Sequence, residues 1–154
     1  VFLSYVLAAI ETAAPGACEE TASLVQGGRL PPVPVLASIL VNELDAIETP
    51  FILVLDDYQF IDQREVHDLL SELLVRPPKC LHLILITRRD PPLPLTALRG
   101  KGRLSEVDEF ADIIIRIEPD GSAVRTGRAL AFRREVPEES EPSVRNRVRS
   151  GRAR

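Results

Sequence analysis

Two short apolar runs dominate the hydrophobic pattern of this chain. The first, Phe51–Leu55, follows Pro50 and is followed directly by two aspartates. The second, Leu81–Thr87, also has the length of a strand and lies beyond a stretch with helical periodicity. Uninterrupted apolar runs of this length, rich in branched side chains, predict strands that are buried on both faces inside a parallel α/β sheet.

Apolar residues at spacings of three and four predict helices around these two strands. The predicted helices cover residues 2–14, 35–47 and 62–76, with Asp62 as the cap of the third. Residues 15–34 are predicted mainly as a loop with a short helix near 21–26. A short turn of helix is predicted at 96–99, a third strand at 113–117 and a turn at 119–121. A strand, a helix and a strand within about 35 residues form a βαβ unit, so the predicted fold class is α/β with a parallel sheet.

Charge divides the chain into an acidic body and a basic end. The net charge is −4, yet residues 121–154 contain nine Arg and four Glu, a net +5, so the preceding residues carry −9. From residue 135 onward Glu, Pro, Ser and Arg predominate without periodicity, which predicts a solvated, disordered basic tail. The acidic body does not have the charge of a nucleic-acid-binding surface.

The cellular setting follows from features at the start of the chain and from its cysteines. No apolar run approaches the ~20 residues that cross a bilayer, and the first ten residues lack the basic start of a signal peptide. Cys18 and Cys80 are far apart in sequence and predict neither a metal site nor a disulfide. We therefore expect a cytoplasmic protein with no membrane partner. Val1 in place of Met indicates a fragment or a non-standard start.

Asp56 and Asp57 are the main candidates for chemistry. They follow a predicted buried strand, at the edge where open α/β sheets bind ligands. A pair of acids there can hold Mg²⁺ through water and orient a nucleophile beside a phosphate, which is the Walker B pattern of nucleotide hydrolases. The same residues also fit a strand that simply ends at a polar turn, so both interpretations stay open.

Polar residues also follow the second strand, whose carboxyl end we expect beside the two aspartates. Thr87, Arg88, Arg89 and Asp90 lie at this point. A polar or cationic side chain there can sense a γ-phosphate and stabilise transferred charge. The alternative is a solvated charge cluster that caps two strands.

Several segments together resemble the signalling ATPase module of large LuxR-type transcription regulators, the MalT-like branch of the STAND class of P-loop NTPases. They lie within residues 1–107 and include VFLSYVLAAI, TPFILVLDDYQFID, VHDLL and LHLILITRRDPPLPLTALRGKGRL. The resemblance implies part of a three-layer P-loop NTPase fold that binds ATP and Mg²⁺. It makes Asp56 the Mg²⁺ ligand, Asp57 the candidate base and Arg88 a sensor of phosphate.

Two further residues complete the predicted site, Arg99 through the same resemblance and Thr87 through its place at the end of the second strand. Arg99 matches a basic position in the stretch that follows the second strand, and Thr87 lies beside the sensor position. We expect both to contribute to cofactor binding. No role is carried over to Arg89, which stands where the family more often has an acid or a small polar residue.

The chain also departs from this family. The motif GxxxxGK[ST], whose backbone N–H groups and lysine grip phosphates, does not occur in the sequence. We therefore expect a truncated module, 1–107, that does not hydrolyse ATP alone, followed by a divergent extension, 108–134, and the tail, 135–154. The sequence contains no helix-turn-helix to bind DNA.

Partners are predicted from the truncation. Nucleotide is the predicted partner of the complete module, and an open sheet edge would pair with the missing N-terminal part or with another protein. Two other functions remain open at this point, a small α/β interaction module and a degenerate gene fragment without ATPase activity.

Three ring side chains are expected to have structural roles. His67 is predicted on the polar surface of its helix rather than as a base. Tyr58 is predicted to pack against the loop after the acids. His82 is predicted to flank a strand face.

Overall fold

A computed structural model describes residues 1–109, 112–118 and 128–132 of the chain. The described α-helices and strands, five of each, include a parallel pair of strands joined by a helix, which confirms the α/β class. The five helices are α1 (Phe2–Ala13), α2 (Glu19–Gln26), α3 (Val33–Asp45), α4 (Arg64–Val75) and α5 (Leu95–Gly100). The five strands are β1 (Phe51–Leu55), β2 (Leu81–Thr87), β3 (Leu104–Glu109), β4 (Asp112–Ile117) and β5 (Arg128–Phe132).

One five-stranded sheet has the order β3-β4-β2-β1-β5. Strand β1 pairs in parallel with both β2 and β5, and Leu53 lies opposite Leu83 in the first of these pairs. The predicted βαβ unit, β1-α4-β2, is therefore present. Strand β4 is antiparallel to β2 and to β3, so the sheet is mixed rather than wholly parallel. Two residues connect β3 to β4, and so short a link can join only antiparallel strands.

The neighbours of β1 and β2 bear on the predicted open edge. Strand β5 pairs with the outer side of β1, and β4 pairs with the outer side of β2. Within the described part of the chain, the edges of the sheet are therefore β3 and β5 rather than the two central strands. Strand β3 also spans the predicted boundary between residues 107 and 108. The predicted turn at 119–121 and the tail at 135–154 lie outside the described residues.

The two faces of the sheet differ in how deeply their side chains are buried. Leu53, Leu83 and Ile117 lie on one face, where they pack against apolar side chains of α1, α3 and α4. On the other face Ile52 and Ile84 are half-buried. The prediction of burial on both faces thus holds fully for the helix-covered face and partly for its opposite.

Helix α2 lies within the segment predicted mainly as a loop, where a short helix was also expected. Its N-cap, Cys18, makes no side-chain capping hydrogen bond. Instead Glu43 of α3 accepts hydrogen bonds from the backbone N–H groups of Glu20, at 2.8 Å, and Thr21, at 3.2 Å, and from the Thr21 hydroxyl. A carboxylate from a neighbouring helix therefore satisfies N–H groups that an N-cap side chain would otherwise bind.

Helix α4 begins one residue later than its predicted cap implies. Gln63 is the N-cap and makes no side-chain capping bond, and Asp62 is exposed. The predicted Asp62 cap is therefore wrong. Burial of five apolar side chains holds the helix in place, as its spacing predicts. These are Val66, Leu69, Leu70, Leu73 and Leu74.

The two cysteines are free and buried. The Cys80 thiol donates a hydrogen bond to the carbonyl of Leu44 at 3.1 Å. Burial raises the pKa of Cys80 to about 11 and that of Cys18 to about 12. Both thiols are therefore poor nucleophiles at neutral pH. None of the described helices is long and apolar enough to cross a membrane.

A candidate site at the carboxyl edge of the sheet

Asp56 and Asp57 follow β1 in a sharp turn at the carboxyl edge of the sheet. The backbone N–H of Asp57 donates to Oδ1 of Asp56 at 2.9 Å. Asp57 has φ 55° and ψ 38°, a left-handed conformation that few residues other than glycine adopt. Both side chains are half-buried. Aspartate enters this region more readily than most residues because its short polar side chain can form local hydrogen bonds, so the sequence Asp-Asp suits this turn.

Gln59 connects the ends of the two central parallel strands. Its side-chain NH₂ donates to Oδ1 of Asp57 at 3.0 Å, and its side-chain oxygen accepts from the backbone N–H of Arg88 at 3.1 Å. Asp57 follows β1 and Arg88 follows β2, so one amide group spans the predicted site. The structure therefore brings these two predicted residues into one hydrogen-bonded network.

Thr87, the last residue of β2, is 1% exposed. Its hydroxyl donates to the carbonyl of Arg89 at 2.9 Å and accepts from the N–H of the same residue at 3.4 Å. These bonds close a tight local turn. Arg88, between the two, has an exposed side chain. The Thr87 hydroxyl thus shapes the segment after β2.

Arg99 lies in the last turn of α5, where its guanidinium binds Glu106 of β3 through two nitrogens. Nε donates to Oε2 at 3.0 Å, and Nη2 donates to Oε1. The hydrogen bond to Glu106 raises the pKa of Arg99, which stays a cation. The structure therefore places Arg99 against the hairpin of β3 and β4, the outer hairpin of the sheet. Its contact with a cofactor stays a prediction.

A pocket of about 280 Å³ lies between the turn after β1, the start of α4 and the segment after β2. Of the predicted site residues only Thr87 lines it, whereas Asp56, Asp57, Arg88 and Arg99 do not. Side chains of both charges contribute to its wall, among them Arg89, for which no role was predicted. The lining residues are Tyr58, Gln59, Ile61, Asp62, His67, Thr87, Arg89, Asp90, Pro91 and Pro92.

Tyr58 and His67 form one wall of this pocket. The Tyr58 hydroxyl and Nδ1 of His67 are 2.7 Å apart, and the two rings meet edge to face with their centroids 5.5 Å apart. Tyr58 is 1% exposed, which confirms that it packs, and burial raises its pKa. His67 is half-buried, so its predicted surface position is wrong. No rule of sequence spacing connects these two residues.

The fold and the polar edge define a class: an α/β unit with paired acids at the carboxyl ends of its parallel strands. Comparison with known proteins then gives the family. The chain is 34% identical over 106 residues to the HTH-type transcriptional regulator MalT of Serratia proteamaculans, and 32% and 33% identical over the same length to those of Yersinia enterocolitica and Yersinia pestis. Over these residues the chain is thus similar to the MalT transcriptional regulators, which confirms the resemblance inferred from the sequence.

The relationship covers only part of each protein. The matched residues are 69% of this chain and 12% of each regulator. No family model and no solved structure matches the chain. The chain is therefore a module related to a transcriptional regulator, and it spans only a small part of such a protein.

Proposed function

We propose that this chain is part of the nucleotide-binding and signalling ATPase module of a LuxR-type transcription regulator. The observation that carries the proposal is the network of Asp57, Gln59 and Arg88, which joins an acid and a cation-bearing segment at the carboxyl edge of two parallel strands. This is the edge at which α/β folds bind ligands. Relatedness to MalT supports the same function.

In a complete module each predicted residue has a separate task. Asp56 would hold Mg²⁺, and Asp57 would accept a hydrogen bond from the attacking water and orient it. Arg88 would sense phosphate with its exposed side chain, and Arg99 would supply a further cation from α5. Thr87 would act by fixing the turn that carries Arg88, since its hydroxyl is bound to the backbone of Arg89.

The residues present fit magnesium but hold it incompletely. Carboxylate oxygens are ligands that Mg²⁺ prefers, and the ion normally keeps several waters or takes phosphate oxygens as well. Among the described residues, no group of three or more Asp, Glu, His or Cys side chains is placed to bind a metal. Asp56 and Asp57 would therefore bind the ion mainly together with a nucleotide, which supplies the remaining oxygens.

Hydrolysis by the chain alone is not expected. The sequence contains no phosphate-binding loop, so the backbone N–H groups and lysine that grip a triphosphate must come from elsewhere. We infer that nucleotide acts here as a switch in a larger cytoplasmic assembly. Steady release of phosphate by the purified chain, abolished by Asp57→Asn, would contradict this inference.

The proposal is tested by titrating ¹⁵N-labelled chain with Mg-ATP and following backbone amide shifts by NMR. We expect changes at 56–59 and at Arg88, weak in affinity and lost in Asp56→Ala. Asp68→Ala is the matched control, because Asp68 is an exposed acid on α4 that pairs with Arg64. Shifts that are absent, or equal in both variants, would overturn the proposal and favour a protein-interaction module.

A further inference from the structure

We propose that Gln59 is a positioning residue that couples the carboxylate of Asp57 to the segment following β2. A displacement of the Asp57 carboxylate would then be transmitted to the backbone of Arg88 through the side-chain amide of Gln59. The proposal deepens the proposed function and rests on it for its biological meaning. Its structural part, a coupling between two backbone positions, can be tested without nucleotide.

The polarity of the two hydrogen bonds determines the orientation of the amide. A carboxylate can only accept, so Asp57 requires the NH₂ group of Gln59, at 3.0 Å. A backbone N–H can only donate, so Arg88 requires the amide oxygen, at 3.1 Å. A reversed amide would lose both bonds at once. The two contacts therefore require the same orientation of the Gln59 amide.

The backbone beneath Gln59 is held on both sides. The residues Tyr58–Phe60 form a 3₁₀ turn, in which the N–H of Phe60 donates to the carbonyl of Asp57 at 3.0 Å. Tyr58 anchors this turn in the core and binds His67 of α4 through its hydroxyl. Because the turn is fixed, a displacement of the Asp57 carboxylate is transmitted through the Gln59 side chain rather than absorbed by the backbone.

The segment after β2, which Gln59 contacts at Arg88, can move when Gln59 moves. Arg88, Arg89 and Asp90 have exposed side chains, in contrast to the buried end of β2 that precedes them. Segments with little buried apolar surface have the lowest cost of local opening. Gln59, which also lines the pocket, thus connects a half-buried acid to an exposed segment that forms part of the same wall.

The experiment is a double-mutant cycle on the hydrogen exchange of the Arg88 amide, measured by NMR on the full chain. Gln59→Ala removes the acceptor of this N–H, and we expect its exchange to accelerate roughly 10-fold, the effect of about one hydrogen bond. Asp57→Ala should accelerate it several-fold, because the amide of Gln59 then loses its anchor. In the double variant, the Asp57 change should add nothing.

Two further variants separate coupling from loss of folding. Gln59→Glu keeps an acceptor for Arg88 but cannot donate to Asp57, so it should protect the Arg88 amide while abolishing its dependence on residue 57. Gln63→Ala, at an exposed glutamine near the same turn, should have no effect. Unchanged exchange at Leu85 in the middle of the sheet would show that each variant stays folded.

The outcomes distinguish this proposal from the proposed function. Additive effects of the Asp57 and Gln59 changes, or unchanged Arg88 exchange in Gln59→Ala, would overturn the coupling whatever the chain binds. Absence of Mg-ATP binding together with a non-additive cycle would overturn the nucleotide function and leave the coupling established.

Discussion

The helix-covered face of the sheet and its carboxyl edge are built from the same strands but are held by different forces. Leu55 and Leu85 are both 0% exposed on the covered face. One to three residues further along, Asp56 is half-buried and Arg88 is exposed. Non-directional burial stabilises the face, whereas the edge depends on directed hydrogen bonds of about 1 kcal/mol each. The face therefore supplies stability, and the edge can rearrange without unfolding it.

The largest expected effect tests the face. Leu85→Ala removes a fully buried side chain and leaves a cavity, so the free energy of unfolding should fall by about 2–5 kcal/mol. Ile84→Ala, on the half-buried opposite face, should cost clearly less because less apolar area returns to water. Urea denaturation of both variants measures the difference. Equal losses would show that the two faces are equally important to stability.

Much of the face could be predicted from sequence because its signals are local. Uninterrupted apolar runs placed β1 and β2 correctly, and apolar spacing placed the end of α1 within one residue of the observed end. Strand β3 was missed since its apolar residues, Leu104 and Val107, are three apart and do not alternate with polar ones. Its antiparallel pairing with β4 also depends on a two-residue link that carries no strong turn signal.

The edge could be predicted only in outline. Parallel pairing of β1 and β2 makes Asp57 and Arg88 neighbours, and that followed from the βαβ pattern. The link through Gln59 could not be predicted, because it requires a left-handed backbone at Asp57 and one particular rotamer. The contact of Tyr58 with His67 likewise depends on the angle at which α4 leaves the turn. The local sequence pattern determines neither the geometry of the Gln59 link nor the angle of α4.

A second prediction tests whether the hydrogen bonds from α2 to Glu43 of α3 contribute as much to stability as the buried face or as little as the carboxyl edge. Glu43→Ala should cost about 1–3 kcal/mol, since it deprives the fully buried Thr21 hydroxyl and two N–H groups of their acceptor. Glu43→Gln keeps one acceptor oxygen and should cost less. Chemical denaturation with the exposed Glu48→Ala as control measures both. A loss no larger than that of the control would show that these hydrogen bonds contribute no more to stability than an exposed side chain does.

Tyr58 belongs to both regions, since its ring is in the core and its hydroxyl lies at the edge. Tyr58→Phe keeps the ring and removes the bond to His67, so we expect a loss of about 0.5–1.5 kcal/mol at neutral pH. Burial raises the pKa of Tyr58 above the ordinary value of about 10. Stability supplied by this shift is complete below that value and is lost as the pH rises above it.

Denaturation of Tyr58→Phe at neutral and alkaline pH therefore separates the hydroxyl from the ring. The variant should lose less stability than the native chain as the pH passes 10. Tyr5→Phe is the matched control because Tyr5 is 57% exposed, and it should leave the alkaline slope unchanged. Identical slopes in the native chain and Tyr58→Phe would show that the phenol does not stay protonated in the folded state.

The smallest effect is expected at the outer hairpin. Arg99 is exposed, and its pairing with Glu106 gains little in water, since solvent and salt screen the charges and ordering two long side chains costs entropy. Arg99→Ala and Glu106→Gln should each unfold at the native denaturant concentration within experimental precision, and raising the salt concentration should not separate them from the native chain. A clear, salt-sensitive loss in either variant would place this pair among the contacts that define the fold. A stability that does not change leaves the guanidinium free to exchange Glu106 for a phosphate at little cost, which is the property that its predicted role requires.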